Sequence, residues 1–424
     1  MTYAYDCHMH ILPLSHIPLS AYLDFALSNG KEEAFAQFTT QNYVVDGILK
    51  KKGDALNLVN VFERRPFDVL ALYEDDLRAS YDGKLDPVIN GGGINVKGAD
   101  KNLHYDRLVL CPQVMDFNLP KKLSTYYSDA PRHDITEQAE EILSGIEEYR
   151  KKRPDGLLEI RPFIGINPLN YELTYIEDFL NRNFPKKHLL FGKKAKFTGI
   201  KVYPPLGFDP NPDDLKLREK NELLFTFCEE HKIPIVTHCD DQGFRVLPLE
   251  ESFKYTSPER WGPVLKRHPE LRIDFAHFGQ QYNKNRSSSG GLVERLFGGK
   301  SKNPFEAFRE MKEYRQYEWQ IEILRLMREY PNVYSDMSFG GSDKECWVNL
   351  QSVLDRASDD ERKIYESRIL FGTDWPLNLV KIPSVLQYWH GFAESGLDSE
   401  FTDRMLRVNP ENFLSGKKPE IAGF

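Results

Sequence analysis

The sequence predicts an α/β protein, a (β/α)8 or TIM barrel with long insertions after strands 1 and 6. Short apolar, β-branched runs alternate with amphipathic, charged stretches, which is typical of a parallel sheet wrapped by helices. Eight such runs occur, the number of strands in a closed barrel of this class. Several of these runs end in a histidine or an aspartate, and active-site residues of such barrels gather at the carboxyl ends of the strands.

The predicted strands lie at residues 5–12, 107–117, 160–166, 199–203, 233–238, 271–277, 333–337 and 368–373. Helices with apolar residues at three- and four-residue spacing are predicted at residues 135–152, 221–231, 314–330 and 350–358. Two further helical patterns, at 21–38 and 69–80, fall inside the connection that follows the first strand.

Length and composition favour one elaborated domain over residues 1–424. Forty per cent of the residues are hydrophobic and 12% are aromatic, which suffices for a sizeable core. The insertions cover about 13–106 and 279–312, and each follows a strand that carries candidate site residues. We therefore expect both at the mouth of the barrel, either as lids or as inert decoration.

Charge and cysteine usage limit the expected partners and compartment. The formal net charge is −8, whereas a nucleic-acid surface needs a clustered excess of Lys and Arg, so nucleic acid is not an expected partner. No run reaches the roughly 18 apolar residues of a membrane span, and no export signal is visible. Five scattered cysteines without a C-x-x-C pair indicate free thiols in a reducing cytoplasm. We expect a small-molecule substrate, no membrane partner and a homodimer.

The strongest local pattern is His8-x-His10 on the first predicted strand. Side chains alternate along a strand, so both imidazoles point to one side and can bind one metal ion. An isolated H-x-H motif is weak evidence for a metal site, and a single buried histidine is more often a core residue. However, His238, His277 and Asp374 each close an apolar run in the same way. Five such residues at equivalent strand ends favour a metal site.

These motifs resemble the amidohydrolase superfamily, and specifically its amidohydrolase-2 branch, which includes the aminocarboxymuconate semialdehyde decarboxylase group. The similarity extends to the segment Phe-Gly-Thr-Asp-Trp-Pro at 371–376 and to the closing segment 407–414. It implies a mononuclear site, usually zinc, in which His8, His10, His238 and Asp374 bind the metal. It also implies that His277 acts on a metal-bound water molecule.

This chemistry agrees with the residue types. Zinc polarises a carbonyl and lowers the pKa of water to about 7. Asp374 can then take a proton from the water, while His277 serves as general base or stabilises the developing oxyanion. Nitrogen ligands with one carboxylate suit Zn²⁺ and leave Mn²⁺ or Fe²⁺ open.

Lys201 lies on a strand where it shares a face with Tyr203, so we expect it to point into the barrel. A buried lysine without a partner is costly. The favoured interpretation is one metal ion with Lys201 orienting an anionic substrate. A carboxylated Lys201 bridging two ions, with His238 and His277 on the second, remains an alternative, as does a structural ion pair.

Further substrate contacts are predicted from their positions after strand ends. They are Tyr203, Asn167, Arg245 and Asn378, of which Arg245 could hold a carboxylate with both guanidinium nitrogens. Each could equally be a loop residue without a ligand. Cys7 and Cys239, next to predicted ligands, are expected to face the helices and to serve packing.

The predicted function is hydrolysis by a metal-activated water of an amide, ester or lactone bond in a small, carboxylated substrate. Non-oxidative decarboxylation by the same metal is the first alternative. A non-catalytic binding protein that retains the site is the second.

Overall fold

The computed structural model describes residues 1–17, 58, 60–80, 85–118, 133–185, 195–241, 243, 247, 249–281 and 318–417. The strands in these ranges are β1 (Tyr3–Met9), β2 (Ile89–Asn90), β3 (Gly93–Lys97), β4 (Asn102–Tyr105), β5 (Arg107–Pro112), β6 (Leu158–Ile160), β7 (Phe163–Gly165), β8 (Gly199–Val202), β9 (Ile235–Thr237), β10 (Ile273–Phe275), β11 (Val333–Asp336) and β12 (Ile369–Leu370).

Two parallel sheets make up the central ring, with strand orders β1-β5-β6 and β12-β11-β10-β9-β8-β7. A parallel bridge between Gln113 and Phe163 joins β5 to β7. On the other side, the backbone nitrogen of Cys7 donates to the carbonyl oxygen of Phe371 at 2.9 Å. These links close the ring. Each of the eight predicted runs overlaps one of the eight strands of this ring. The predicted (β/α)8 barrel is confirmed.

The third barrel strand is interrupted at Arg161–Pro162, between β6 and β7. Proline has no backbone N–H and cannot donate to a neighbouring strand. The backbone nitrogen of Arg161 still donates to the carbonyl oxygen of Leu110 at 2.8 Å, so the two halves stay in line. The sequence pattern predicted only the second half, from residue 160 onward.

Helices surround the ring. Those with described bounds are α1 (Pro66–Arg78), α2 (Ile135–Lys152), α3 (Leu173–Asn183), α4 (Leu215–Glu230), α5 (Leu249–Thr256), α6 (Gly262–Arg267), α7 (Glu318–Glu329), α8 (Lys344–Arg356), α9 (Asp359–Glu366), α10 (Val385–Ala393), α11 (Ser399–Asp403) and α12 (Asn409–Ser415). The predicted helix 135–152 is confirmed to the residue. Asp134 explains its start, because its side chain accepts from the backbone nitrogens of Thr136 and Glu137.

The first insertion holds an antiparallel sheet of β2, β3 and β4 that the sequence patterns did not indicate. Its first turn contains Gly91 and Gly92 at φ +61° and +84°, conformations that glycine adopts readily. The sheet is attached to the start of α11, where the backbone nitrogen of Lys101 donates to Ser399 Oγ at 3.2 Å. The predicted helix 21–38 and most of the insertion 279–312 lie outside the described residues.

The inner face of the ring is set by strand register. Lys201 pairs with Val236, Val236 with Asp274, and Asp274 with Tyr334, so these side chains share one face. A separate apolar cluster fills this interior and consists of Tyr5, Cys7, Val109, Cys111, Phe163, Val236, Ala276, Tyr334, Leu370 and Phe413. The expected inward direction of Lys201 agrees with this register.

The expectation that Cys7 faces the helices is wrong. The β1–β5 register shifts between Asp6 and Met9, as in a β-bulge. The extra residue breaks the strict alternation, so Cys7 joins the interior cluster while His8 and His10 still point inward. Cys239 packs in the larger cluster between strands and helices, as expected.

None of the helices in the described part of the chain combines the length and apolar character that a membrane crossing needs.

Replacing Gly165 should test the close approach of neighbouring barrel strands. A Cβ at Gly165 would lie 2.4 Å from the backbone nitrogen of Asp116 and 2.7 Å from the carbonyl oxygen of Val114. Overpacking costs about 1–3 kcal/mol, so Gly165→Ala should lower the free energy of unfolding by this amount in urea denaturation. Gly391→Ala in α10 is the control, because a Cβ there meets nothing within 4 Å. It should stabilise by about 0.5–1 kcal/mol through helix propensity. Equal effects of the two substitutions would contradict the close approach.

Candidate metal centre

Three of the four predicted metal ligands converge at the carboxyl end of the ring. Nε2 of His10 lies 3.1 Å from Oδ1 of Asp374, and Nε2 of His8 lies 3.6 Å from the same oxygen. The two imidazole centroids are 5.2 Å apart. All three side chains are buried, and their ligand atoms lie within 4.8 Å of one another.

The backbone of the last strand holds Asp374 against β1. The nitrogens of Thr373 and Asp374 both donate to the carbonyl oxygen of His8, at 3.1 and 2.7 Å. Asp6 strengthens this junction, because its carboxylate accepts from the backbone nitrogen and the hydroxyl of Thr373 at 3.0 and 2.7 Å. Burial raises the pKa of Asp6 to about 7, although these hydrogen bonds oppose the rise. Asp374 itself adopts the left-handed conformation, at φ +61°.

A hydrogen bond behind each first-strand histidine orients its ring. Nδ1–H of His8 donates to Oδ2 of Asp336 at 2.7 Å, and Nδ1–H of His10 donates to the carbonyl oxygen of Gln113 at 2.9 Å. With the proton on Nδ1, the lone pair of each ring lies on Nε2, facing Asp374. Such hydrogen bonds orient metal-binding histidines and raise their basicity.

The donor set fits a divalent metal ion. Oδ1 of Asp374 is buried and has no hydrogen-bond partner among the described residues, which is costly for a carboxylate unless a cation compensates it. Burial, together with nearby Lys201, lowers the pKa of His8 to about 4 and that of His10 to about 3. Burial also raises the pKa of Asp374, against the pull of His277 and His8. Neutral imidazoles are the form that binds metal.

His238 and His277 form a neighbouring group with Asp240. Nδ1 of His238 lies 3.2 Å from Nε2 of His277, and Nε2 of His238 lies 3.1 Å from Oδ1 of Asp240. The structure thus groups the predicted ligand His238 with His277 rather than with the other three. The two groups are adjacent, because the rings of His8 and His277 are 5.0 Å apart.

Ser338 and Asp336 fix the position of His277. Nδ1–H of His277 donates to Oγ of Ser338 at 2.8 Å, and the hydroxyl of Ser338 donates to Oδ1 of Asp336. The backbone nitrogen of His277, at φ +66°, also donates to this carboxylate at 3.0 Å. Nε2 of His277 therefore carries the lone pair and accepts from Nδ1–H of His238 at 3.2 Å. Burial lowers the pKa of His277 to about 4.

Asp336 was not predicted as a site residue, although it lies next to the end of the predicted strand 333–337 and is the last residue of β11. It contacts His8, His277 and Ser338 and is fully buried. Burial alone would raise its pKa, but His8 and the surrounding hydrogen bonds hold the pKa well below its usual range. The rule that a carboxylate at a strand end marks the site could have found Asp336. Asp240, two residues after His238, carried a similar signal.

Lys201 reaches the centre from inside the ring. Its Nζ donates to Nε2 of His8 at 3.1 Å, and the residue is 1% exposed. Burial lowers the pKa of Lys201 to about 8, against the attraction of Asp336 and Asp374. The ammonium group of Lys201 therefore lies next to the position where a metal ion would bind.

The other predicted substrate contacts differ in their surroundings. Tyr203 stacks on His238 with ring centroids 4.5 Å apart and thus lines the site. Asn167 contacts backbone instead: its amide nitrogen donates to the carbonyl oxygen of Leu206, and its amide oxygen accepts from Leu169. Asn378 is fully buried and donates to the carbonyl oxygen of Thr373. These two amides support loops, and Arg245 lies outside the described residues.

The sequence model of one protein family, described as Amidohydrolase, matches residues 187–415, more than half of the chain. The chain belongs to the amidohydrolase-2 family. The matched part of this amidohydrolase contains Lys201, His238, His277 and Asp374, whereas His8 and His10 precede it. No curated protein matches the sequence.

Three solved structures illustrate the range of similar proteins. 5-carboxyvanillate decarboxylase of Novosphingobium aromaticivorans, complexed with manganese, is 13% identical over 73% of this chain and 76% of that chain, with a TM-score of 0.40. A probable 2-pyrone-4,6-dicarboxylic acid hydrolase of Acinetobacter baumannii is 12% identical over 73% and 84%, also at 0.40. 4-oxalomesaconate hydratase of Rhodopseudomonas palustris is 13% identical over 97% and 95%, at 0.39. At these values, the substrates of those proteins do not indicate the substrate of this amidohydrolase.

Asp336→Asn should weaken metal binding without changing the size of the side chain. The amide cannot accept all the hydrogen bonds that Asp336 now accepts, so the ring of His8 loses its orientation. Loss of such a hydrogen bond costs about 10–100-fold in metal affinity. Competition against a chelating dye measures this loss.

The matched control is Asp343→Asn on the same connection, where the carboxylate contacts Lys381 at 2.9 Å. This variant should keep the affinity of the unmodified protein. Unchanged affinity in Asp336→Asn would contradict the orienting role.

Proposed function

We propose that this amidohydrolase is a metal-dependent hydrolase that cleaves an amide, ester or lactone bond of a small, carboxylated substrate. The observation that carries the proposal is the convergence of His8, His10 and Asp374, with Oδ1 of Asp374 buried and unpartnered. The proposed ligands are these three and His238. We favour one Zn²⁺, because nitrogen donors with one carboxylate suit it.

A bound zinc ion would supply Lewis acidity, which polarises a carbonyl oxygen and lowers the pKa of water to about 7. The side chains provide the proton transfers. Asp374 can accept the proton of the attacking water through the carboxylate oxygen that does not bind the metal. His277, held by Ser338 through Nδ1, can act as base or stabilise the oxyanion through Nε2.

Lys201 and Tyr203 are the proposed substrate contacts. The ammonium group of Lys201 faces the centre and would attract a carboxylate, while Tyr203 forms a wall beside His238. Arg245 remains a proposed carboxylate contact.

We further propose that residues 1–424 form one domain, with a reducing cytoplasm as its compartment, since all five cysteines are buried free thiols.

Labelled water distinguishes hydrolysis from decarboxylation. The zinc-loaded protein is incubated in H2¹⁸O with a panel of small carboxylated lactones, esters and amides, and products are analysed by mass spectrometry. We expect one ¹⁸O atom per bond cleaved, in the newly formed carboxylate, and no release of carbon dioxide. His277→Ala, loaded with the same metal, should lose about 10²–10⁴-fold in turnover, as expected for a general base. Removal of zinc by a chelator should abolish turnover.

Carbon dioxide release from a carboxylated substrate, without ¹⁸O in the product, would overturn hydrolysis in favour of decarboxylation. The non-catalytic alternative predicts that the protein binds zinc and a carboxylated ligand but converts neither this ligand nor any compound of the panel.

Lys201→Met separates two of the three roles left open for this lysine, binding the substrate carboxylate and bridging two metal ions. If Lys201 binds the substrate carboxylate, the variant keeps its zinc and raises KM about 10–100-fold, the loss expected for a hydrogen bond to a charged group. A conservative Lys201→Arg variant should restore part of the affinity. Zinc content and kinetics are measured on the same preparations. A fall from two zinc equivalents to one or none in Lys201→Met would show instead that the lysine belongs to a two-metal centre.

A further inference from the structure

A second group of metal-binding side chains lies outside the barrel centre. Nε2 of His16 and Nδ1 of His133 both lie close to the same oxygen, Oε2 of Glu141, at 2.8 and 2.9 Å. The three ligand atoms lie within 4.8 Å of one another, and the two rings are 6.0 Å apart. Neither the proposed reaction nor the sequence patterns assign a role to these residues.

The fold brings together two distant parts of the chain, one containing His16 and the other containing His133 and Glu141. His16 belongs to a short 3-10 turn, Leu14–His16, that follows β1, and Glu141 lies on α2, which follows β5. The backbone nitrogen of His133 donates to the carbonyl oxygen of Ser15 at 3.1 Å. The connections that follow two neighbouring barrel strands therefore meet at this point.

Solvent access and the types of donor atom both point to a ligand. The side chain of His16 is fully buried, whereas those of His133 and Glu141 are 40% and 29% exposed, so an ion can enter from solvent. Nδ1 of His16 is buried without a hydrogen-bond partner among the described residues, and Nε2, on the opposite side of the ring, faces the shared carboxylate. Two imidazoles and one carboxylate are a donor set for Zn²⁺ and similar ions.

We propose that His16, His133 and Glu141 form a second binding site for a divalent transition-metal ion of the zinc class. Water would complete the coordination on the exposed side. The ion would join the turn after β1 to the start of α2, and thereby tie together the two connections at this edge of the barrel.

This site binds more weakly than the barrel centre. His8 and His10 each have an acceptor behind the ring, Asp336 and the carbonyl oxygen of Gln113, whereas Nδ1 of His16 has none. The absence of such an orienting hydrogen bond typically costs about 10–100-fold in metal affinity. Zinc should therefore fill the barrel centre first and the His16 site second.

Calorimetric titration of the metal-free full chain with Zn²⁺ alone tests the site. We expect two classes of site, one equivalent each, with the second about 10–100-fold weaker. His133→Ala, a change at a partly exposed residue, should remove only the weaker class. His104→Ala is the matched control, because His104 is an exposed histidine elsewhere in the chain, and this variant should keep both classes. Glu141→Gln should reproduce the loss, and circular dichroism checks that both variants fold.

The test is independent of the proposed reaction. His8→Ala should lose the tighter class and keep the weaker one, whether or not the protein is a hydrolase. A weaker class that persists in His133→Ala and Glu141→Gln would overturn the proposal and place the second ion elsewhere, for example at the barrel centre with Lys201. A single class in the unmodified protein, with free zinc raised 1,000-fold above the first dissociation constant, would overturn it as well.

Discussion

The junction between the first and last barrel strands is the contact on which the site depends. Asp6 and Thr373 are 367 residues apart in sequence, yet they are joined by two hydrogen bonds. The carbonyl oxygen of His8 accepts from two consecutive backbone nitrogens of the last strand. Without this closure, the histidines of β1 and the carboxylate of Asp374 would lie at opposite edges of an open sheet. Closing the ring therefore also assembles the metal centre.

Much of this arrangement could be predicted from local patterns. Apolar runs ending in His238, His277 and Asp374 gave the strand positions, and the His8-x-His10 pair gave the side of the sheet on which the site lies. The periodicity of apolar residues predicted α2 to the residue, and the cap at Asp134 explains where the helix begins. These features depend on a few neighbouring residues, and short-range rules describe them well.

Other features could not be predicted, because they depend on contacts between distant segments. The bulge in β1 places Cys7 inside the ring, against strict alternation, and only the pairing with β5 reveals it. The support that Asp336 gives to His8 joins residues 328 apart. The amides of Asn167 and Asn378 stand at strand ends like substrate contacts, but they donate to backbone carbonyl groups, Asn167 to Leu206 in the connection after β8 and Asn378 to Thr373. Position in sequence cannot distinguish a loop support from a ligand contact.

His277 and Asp374 both adopt the left-handed backbone conformation, at φ +66° and +61°. Residues other than glycine are held there at a cost of about 1–3 kcal/mol each, and they persist only where surrounding contacts require the conformation. Here those contacts come from Asp336 and from the backbone of β1. The two side chains are consequently in place before any ligand arrives. At these two residues, ligand binding therefore requires no change of backbone conformation, so little binding free energy is consumed there by reorganisation.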